Sequence, residues 1–296
     1  MNSFGDLLGI LLNGVATGMI LFIMAVGLTV IFGLLDVLNL AHGSIFLVGS
    51  YIGYALAGQR VATWGGWAMA LVVALVLGVV IGLLLMLMLR PLRRRGHLDQ
   101  AVLTLGLALV ITELLAEIFG RDDHGVAPPP GLVDSVELGG ITYPVYRLVV
   151  IALGAVVAAG VWYVLERTSA GAVVRATVAD DQMVAALGIS VSKVRLLTFG
   201  GATALAVLGG VVAGPVNGVS TGLGNEILLL ALVVIVIGGL GSILGTLVGS
   251  LTIGLVQNFG VVLVPELASF LLFGAMVLVI LVRPQGLFAS IAAVAR

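Results

Sequence analysis

Residues Glu166–Arg195 read ERTSAGAVVRATVADDQMVAALGISVSKVR, a charged island with a long apolar run on either side. Arg167, Arg175, Lys193 and Arg195 supply four of the chain's thirteen basic residues within this stretch, and Asp180 and Asp181 stand next to each other in its middle. Behind the two acids, Met183, Val184 and Leu187 recur at helical spacing, which predicts a short helix with one apolar face. The acids suit the start of that helix, where free N–H groups favour negative charge, and Gly188 is placed to end it. A short amphipathic helix on a charged island, in a chain that is otherwise oily, is the form of a docking surface for a soluble partner. A solvated connection between membrane spans has the same composition, and the residues alone leave both readings open.

The flanking runs decide the fold class. Of 296 residues 61% are hydrophobic and 9% charged, against about 25% charged in soluble domains, and the mean hydropathy is +1.28. Several apolar runs reach the roughly 20 residues that a helix needs to cross a bilayer. The expectation is an all-α polytopic transmembrane helical bundle forming a single domain over 1–296. The spans fall at about 7–33, 43–58, 65–89, 100–119, 147–166, 195–214, 226–240, 243–264 and 266–282. The seventh and eighth can be one broken helix, so the count is eight or nine. The N-terminal run has Asp6 and no basic residue ahead of it, unlike a cleavable signal peptide, and is expected to be a retained span. A net charge of −1 gives no footprint for nucleic acid. The absence of cysteine excludes disulfides and thiolate metal sites.

Basic residues orient the bundle. Ten of thirteen lie in one set of loops: Arg90 and Arg93 to Arg95, the four of the island, Arg283 and Arg296; Arg60, Arg121 and Arg147 lie in the other. The excess marks the cytoplasmic side, so the N-terminus is expected outside and the C-terminus in the cytoplasm, with the island (about 166–195) inside. The loop at about 120–146, with Asp122, Asp123, Asp134, Glu137 and the run Pro128–Pro130, is then external, an ordered extended lip.

Glycines recur four apart at Gly14/Gly18, Gly49/Gly53, Gly78/Gly82 and Gly241/Gly245/Gly249, a spacing that lets helix backbones approach closely in lipid. Two segments interrupt their spans, Gly33 to Gly43 and Gly238 to Gly241. They continue as GSIFLVGS (43–50) and GSILGTLVGS (241–250), a diverged internal repeat or a coincidence of small residues. Repeats of that kind place transport sites at discontinuous helices.

Polar groups at membrane depth are few, and each is a candidate for function. Glu113 and Glu117 share a helix face; Glu117 is expected near the outer interface and Glu113 paired with a neighbouring helix. Asp36, Asn39 and His42 lie in the first break, where Asn39 is placed to cap the following helix. If the break re-enters the bilayer, that helix start faces a passing carboxylate; if it lies at the interface, His42 is solvated. Asn13 and Thr17 (i, i+4), Asn217, Ser220, Gln257 and Asn258 complete the residues able to line a path or to bond between helices. His97 and His124 have no metal-ligand spacing. No phosphate-cradling GxxxxGK[ST] is present, so nucleotide chemistry has to come from another chain.

Four stretches resemble one family. Ala25 to Ser44 (AVGLTVIFGLLDVLNLAHGS), Arg175 to Asp180 with Ala185 to Ile189, Val236 to Ile243 (VIGGLGSI) and Arg283 to Phe288 (RPQGLF) are similar, in this order and over nearly the whole chain, to LivH-type permeases of ABC importers for branched-chain amino acids. The resemblance implies a multi-pass subunit of the bacterial inner membrane that carries leucine, isoleucine or valine, or alternatively urea or short amides. It implies no cofactor and no catalysis of its own. It implies as partners a related permease, two cytoplasmic ATPases and a periplasmic binding protein. It also makes Arg175, Asp180, Asp181, Met183, Val184, Leu187 and Gly188 the ATPase-coupling element, inserted into an ATPase groove. The path would run past Asn13, Thr17, Asn39, His42, Asn217 and Gln257. Where importers in general have Glu-Ala-Ala with glycine three residues on, this chain has Ala185-Ala186-Leu187-Gly188. A self-sufficient ion-coupled transporter is the rival of a different class, with Glu113 and Glu117 as its one ion site.

Overall fold

A computed structural model describes residues 4–35, 37–58, 62–94, 96–283 and 286–288. The helices in chain order are α1 (Phe4–Leu35), α2 (His42–Ile52, extended by a π-helical turn Gly53–Ala57), α3 (Trp64–Leu89) and α4 (His97–Phe119). A two-stranded hairpin follows, β1 (Ser135–Leu138) antiparallel to β2 (Ile141–Pro144). Then come α5 (Val145–Arg167), α6 (Ser169–Ala179), α7 (Asp181–Ala186), α8 (Val191–Asn217), α9 (Leu223–Gly238), α10 (Ile243–Leu263) and α11 (Ala268–Val282). Among the described residues, α1, α3, α4, α5, α8 and α10 are long and apolar enough to cross a membrane, and α9 and α11 are shorter apolar helices. The chain is an all-α, multi-pass bundle.

Two helices form its centre. α1 and α8 are mostly buried, whereas α3, α4 and α5 present most of their length outward. α1 packs on α10 and α8, α3 and α2 also lean on α8, and α9 fills the space between α2, α1 and α10. Glycine makes these approaches possible. A Cβ on Gly18 would stand 2.9 Å from the Leu251 Cα, and one on Gly78 2.5 Å from the Ala204 Cα; real side chains do not tolerate such distances. The glycine pairs read from the sequence thus serve helix contacts, Gly14/Gly18 on α10, Gly49/Gly53 and Gly78/Gly82 on α8, and Gly245/Gly249 on α9, whereas Gly241, the first of that last series, lies in the turn before α10 and meets Gly33. Buried hydroxyls tie the same seams, Thr203 Oγ1 donating to the Gly78 carbonyl at 2.8 Å and Ser50 Oγ to the Gly210 carbonyl at 3.1 Å.

The bundle has two unlike ends. One carries the hairpin, the start of α5 and the ends of α2, α4 and α8; the other carries the loops richest in Arg and Lys, with α6 and α7. The loop at 120–146, expected as an extended lip, is ordered but ends in the β1–β2 hairpin. His124 and Val219 exchange backbone hydrogen bonds (2.9 and 2.8 Å), Ala127 N–H donates to the Gly58 carbonyl, and Phe119 stacks on Tyr51 with centroids 4.8 Å apart. Burial pushes the Tyr143 phenol in the hairpin above its ordinary pKa, an effect that the charge of nearby Arg147 partly opposes.

Candidate functional site

The island forms two helices, one more than the sequence reading supplies. Thr168 caps α6, its Oγ1 accepting from the Gly171 N–H at 3.2 Å. Arg175 lies on α6 and pairs with Glu166 at 3.6 Å. Asp180 caps α7 by accepting from the Met183 N–H at 2.9 Å. Asp181 accepts from Arg195 Nη2 at 3.0 Å, which ties α7 to the start of α8. The C-terminus closes as a Schellman motif, with Ile189 N–H on the Val184 carbonyl and Gly188 N–H on the Ala185 carbonyl. Gly188 takes φ +81° there, a conformation open to glycine at no steric cost. Met183 and Leu187 are 60% and 72% exposed, while Val184 is 3% exposed. The apolar face expected of Met183, Val184 and Leu187 therefore divides: Val184 holds α7 to its own bundle, and Met183 and Leu187 stand outward, one turn apart.

The first break re-enters the bundle. His42 opens α2 completely buried, its Nε2 3.2 Å from the Met24 carbonyl. Met24 lies eleven residues before the end of α1, about 16 Å along the helix axis. The chain leaves α1 at the basic end, turns back inside the bundle and starts α2 well above that end, so the solvated histidine of the interface reading does not occur. Asn39 is likewise buried. It does not cap α2, whose first flanking residue is Ala41; its Oδ1 instead accepts from the Ala41 N–H at 3.1 Å and holds the turn. Thr104 on α4 clasps the same segment, accepting from the Leu40 N–H (3.1 Å) and sharing its one O–H proton between the Leu38 carbonyl (3.3 Å) and its own helix's Gln100 carbonyl (2.9 Å). Asn39 Nδ2, His42 Nδ1 and Gln100 Oε1 are buried with no hydrogen-bond partner among the described residues. Each such group costs about 1–3 kcal/mol while it stays unpaired. Asp36 lies outside the described residues.

The remaining polar positions gather toward the hairpin end. Arg147 on α5 donates to Asn13 Oδ1, and Asn258 Nδ2 donates to Thr17 Oγ1 at 3.2 Å, so α1 carries two polar ties one turn apart. Gln257 precedes Asn258 on α10, half-buried, with its Oε1 unpartnered. Asn217 ends α8 at the same end of the bundle and is exposed. Glu113 pairs with Arg121, just beyond the end of its own helix, and both are exposed. Among the described residues, the pairing with a neighbouring helix expected of Glu113 is not formed.

Comparison with known proteins decides the class. The family model described as branched-chain amino acid transport system, permease component, matches residues 10–281. The chain belongs to that family. The permease is 28% identical over 294 residues to the high-affinity branched-chain amino acid transport system permease protein BraD of Pseudomonas aeruginosa, covering 94% of each chain. It is 26% identical over 296 residues to LivH of Escherichia coli and 25% over 291 to LivH of Salmonella typhimurium, covering 93% of each chain in both cases. No solved structure matches.

Three of the four stretches that carry the family resemblance meet in the permease. A Cβ on Gly33, in the first stretch, would collide with the Gly241 backbone in the third. One on Gly286, in the last, would lie 2.5 Å from the Gly239 Cα. Leu287 and Phe288 donate their N–H groups to the Ile237 and Gly238 carbonyls at 2.8 and 3.0 Å, closing the open end of α9. Sequence reasoning did not single out Gln100, Thr104 or Arg147. Gln100 and Thr104, four residues apart at the head of a span, carry the signal that finds them, since polar residues so spaced share a helix face.

Proposed function

We propose that this permease is the membrane subunit of an ATP-driven importer for branched-chain amino acids. Its partners are a related permease, two cytoplasmic ATPases and a periplasmic binding protein that delivers the solute. It lies in the bacterial inner membrane as one domain, N-terminus outside and C-terminus in the cytoplasm. Of the expected eight or nine spans, nine fits termini on opposite sides, and nine results if α2, α9 and α11 join the six long helices. The excess of basic residues in the loops at the island's end gives the orientation. ATP is hydrolysed by the partners and not by this chain.

The observation that carries the reading is the outward pair Met183 and Leu187 on a helix pinned from behind by Val184 and by the Asp181–Arg195 bond. In the coupling element, Asp180 and Gly188 set the ends of α7, Arg175 with Glu166 steadies α6, and Met183 and Leu187 enter the ATPase groove. Closure of the ATPases pulls α7, and α8, to which it is bonded, passes the motion to the central helices. Asn13, Thr17, Gln257 and Asn217 line the outer part of the path, and Asn39 and His42 the inner part. An ion-coupled mechanism finds no support in Glu113, which Arg121 already neutralises.

Membrane vesicles holding the assembled complex and leucine-loaded binding protein test the proposal. Leucine uptake is expected with ATP and is expected to vanish when the ATPase subunits are omitted; uptake driven by a proton gradient without them would overturn it. Met183→Asp puts a charge into the groove, and co-purification of the ATPase is expected to fall about tenfold with the permease's own stability unchanged. Undiminished co-purification would remove Met183 from the contact.

A further inference from the structure

We propose that Asn39 and Gln100 together hold the zwitterionic head of the transported solute at an inner station of the path, a site covered in this structure by α4. The inference rests on the functional reading above and goes beyond it in adding a residue, a chemistry and a moving part.

Gln100 is the telling residue. α4 faces mainly outward, yet Gln100 is 4% exposed, and on the same helix Ala101 and Thr104 are buried too, Thr104 in contact with the segment that re-enters the bundle. Thr104 brings the backbones around Asn39 and Gln100 together: its oxygen accepts from the Leu40 N–H, and its single O–H proton lies between the carbonyls of Leu38 (3.3 Å) and Gln100 (2.9 Å). The hydrogen bond from Ala41 N–H takes up Asn39 Oδ1, and this leaves Nδ2 as a donor. Gln100 leaves Oε1 as an acceptor. One stranded donor and one stranded acceptor, neither ionised, complement an α-carboxylate and an α-ammonium group respectively. Val37 and Ala41, the residues two positions either side of Asn39, are buried and apolar and suit an aliphatic side chain.

The cover is α4. It packs chiefly on α2, with Phe119 against Tyr51 and Tyr54 at its far end. A pivot about that aromatic contact would part Gln100 from the re-entrant segment and uncover both amides while α1 and α8 stay in place. His42 is on the other side of the segment, against Met24 and Gly27 of α1, and takes no part in this site.

The test uses the complete complex in vesicles with leucine-loaded binding protein and ATP. Gln100→Leu is expected to lower leucine uptake at least tenfold while subunit assembly and binding-protein-stimulated ATP hydrolysis stay within twofold. Gln100→Glu, which keeps an acceptor for the ammonium group, is expected to retain more uptake than Gln100→Lys. Uptake by Gln100→Leu within twofold of wild type, or a loss that only tracks the amount of assembled complex, would overturn the proposal. Equal losses in the Glu and Lys variants would also overturn it. Asn39→Asp is the second probe: it keeps the oxygen that accepts from Ala41 and replaces the donor by an acceptor. A tenfold lower uptake by intact complex is expected, and unchanged uptake or failed assembly would count against the site. Wild-type vesicles separate the two levels. If they carry no zwitterion, the functional reading falls and takes this one with it; if they carry leucine and the variants do too, only this one falls.

Discussion

The two breaks in the membrane helices look alike in sequence and are built differently. The first turns back inside the bundle and is held by side chains: Asn39 on Ala41, Thr104 on Leu38 and Leu40, His42 against Met24. The second, at Gly239–Ser242, stays at the basic end and is held by backbone: Gly33 against Gly241, Gly286 against Gly239, and the chain at Leu287 and Phe288 bonded to the end of α9. Side-chain clasps leave polar groups unpaired, and such groups can meet a solute. A glycine seam leaves none and can only fix how helices meet. The first break is accordingly the place to look for transport chemistry, and the second for folding.

The largest effect that would break this division is expected at the second break. Gly33→Leu forces a side chain into the Gly241 backbone, and overpacking of that kind costs about 3 kcal/mol or more where backbone must move. Loss of most of the folded permease from detergent extracts is the expected outcome, and normal yield would mean that the seam is loose. Next comes Asn39→Leu, which removes the turn's acceptor and strands the buried Ala41 N–H, at about 1–3 kcal/mol. Assembly is expected to survive and leucine uptake to fall about tenfold; wild-type uptake would return Asn39 to a purely structural role. The smallest is Ser242→Ala. It deletes the cap of α10, Ser242 Oγ accepting from Gly245 N–H at 3.0 Å, for about 1 kcal/mol. A thermal midpoint a few degrees lower with unchanged uptake per folded molecule sharpens the contrast, whereas impaired uptake would blur it.

Much of this was legible in the residues because lipid is a demanding solvent. Long apolar runs placed the six long helices, paired glycines marked the contacts on α8 and α10, and Asp180 with Gly188 delimited α7 to within a residue. What escaped depended on tertiary depth. Nothing local in Asn39 or His42 distinguishes a re-entrant turn from an interfacial loop, since both are short breaks after a span; only the packing on Met24 and Thr104 decides. Val184 and Met183 are neighbours of equal character, and which of them turns inward depends on where α8 and α6 lie. Gln100 stood at the edge of a span, where a polar residue marks a boundary as readily as a buried site.

The chain contains no cysteine, so a single introduced thiol reports without background, and Leu187→Cys on α7 is the most direct probe of the central claim. In right-side-out and inverted vesicles, a membrane-impermeant maleimide is expected to label it only from the cytoplasmic face, and bound ATPase is expected to block the labelling. Labelling from the periplasmic face, or labelling that the ATPase does not alter, would contradict a permease driven through this helix.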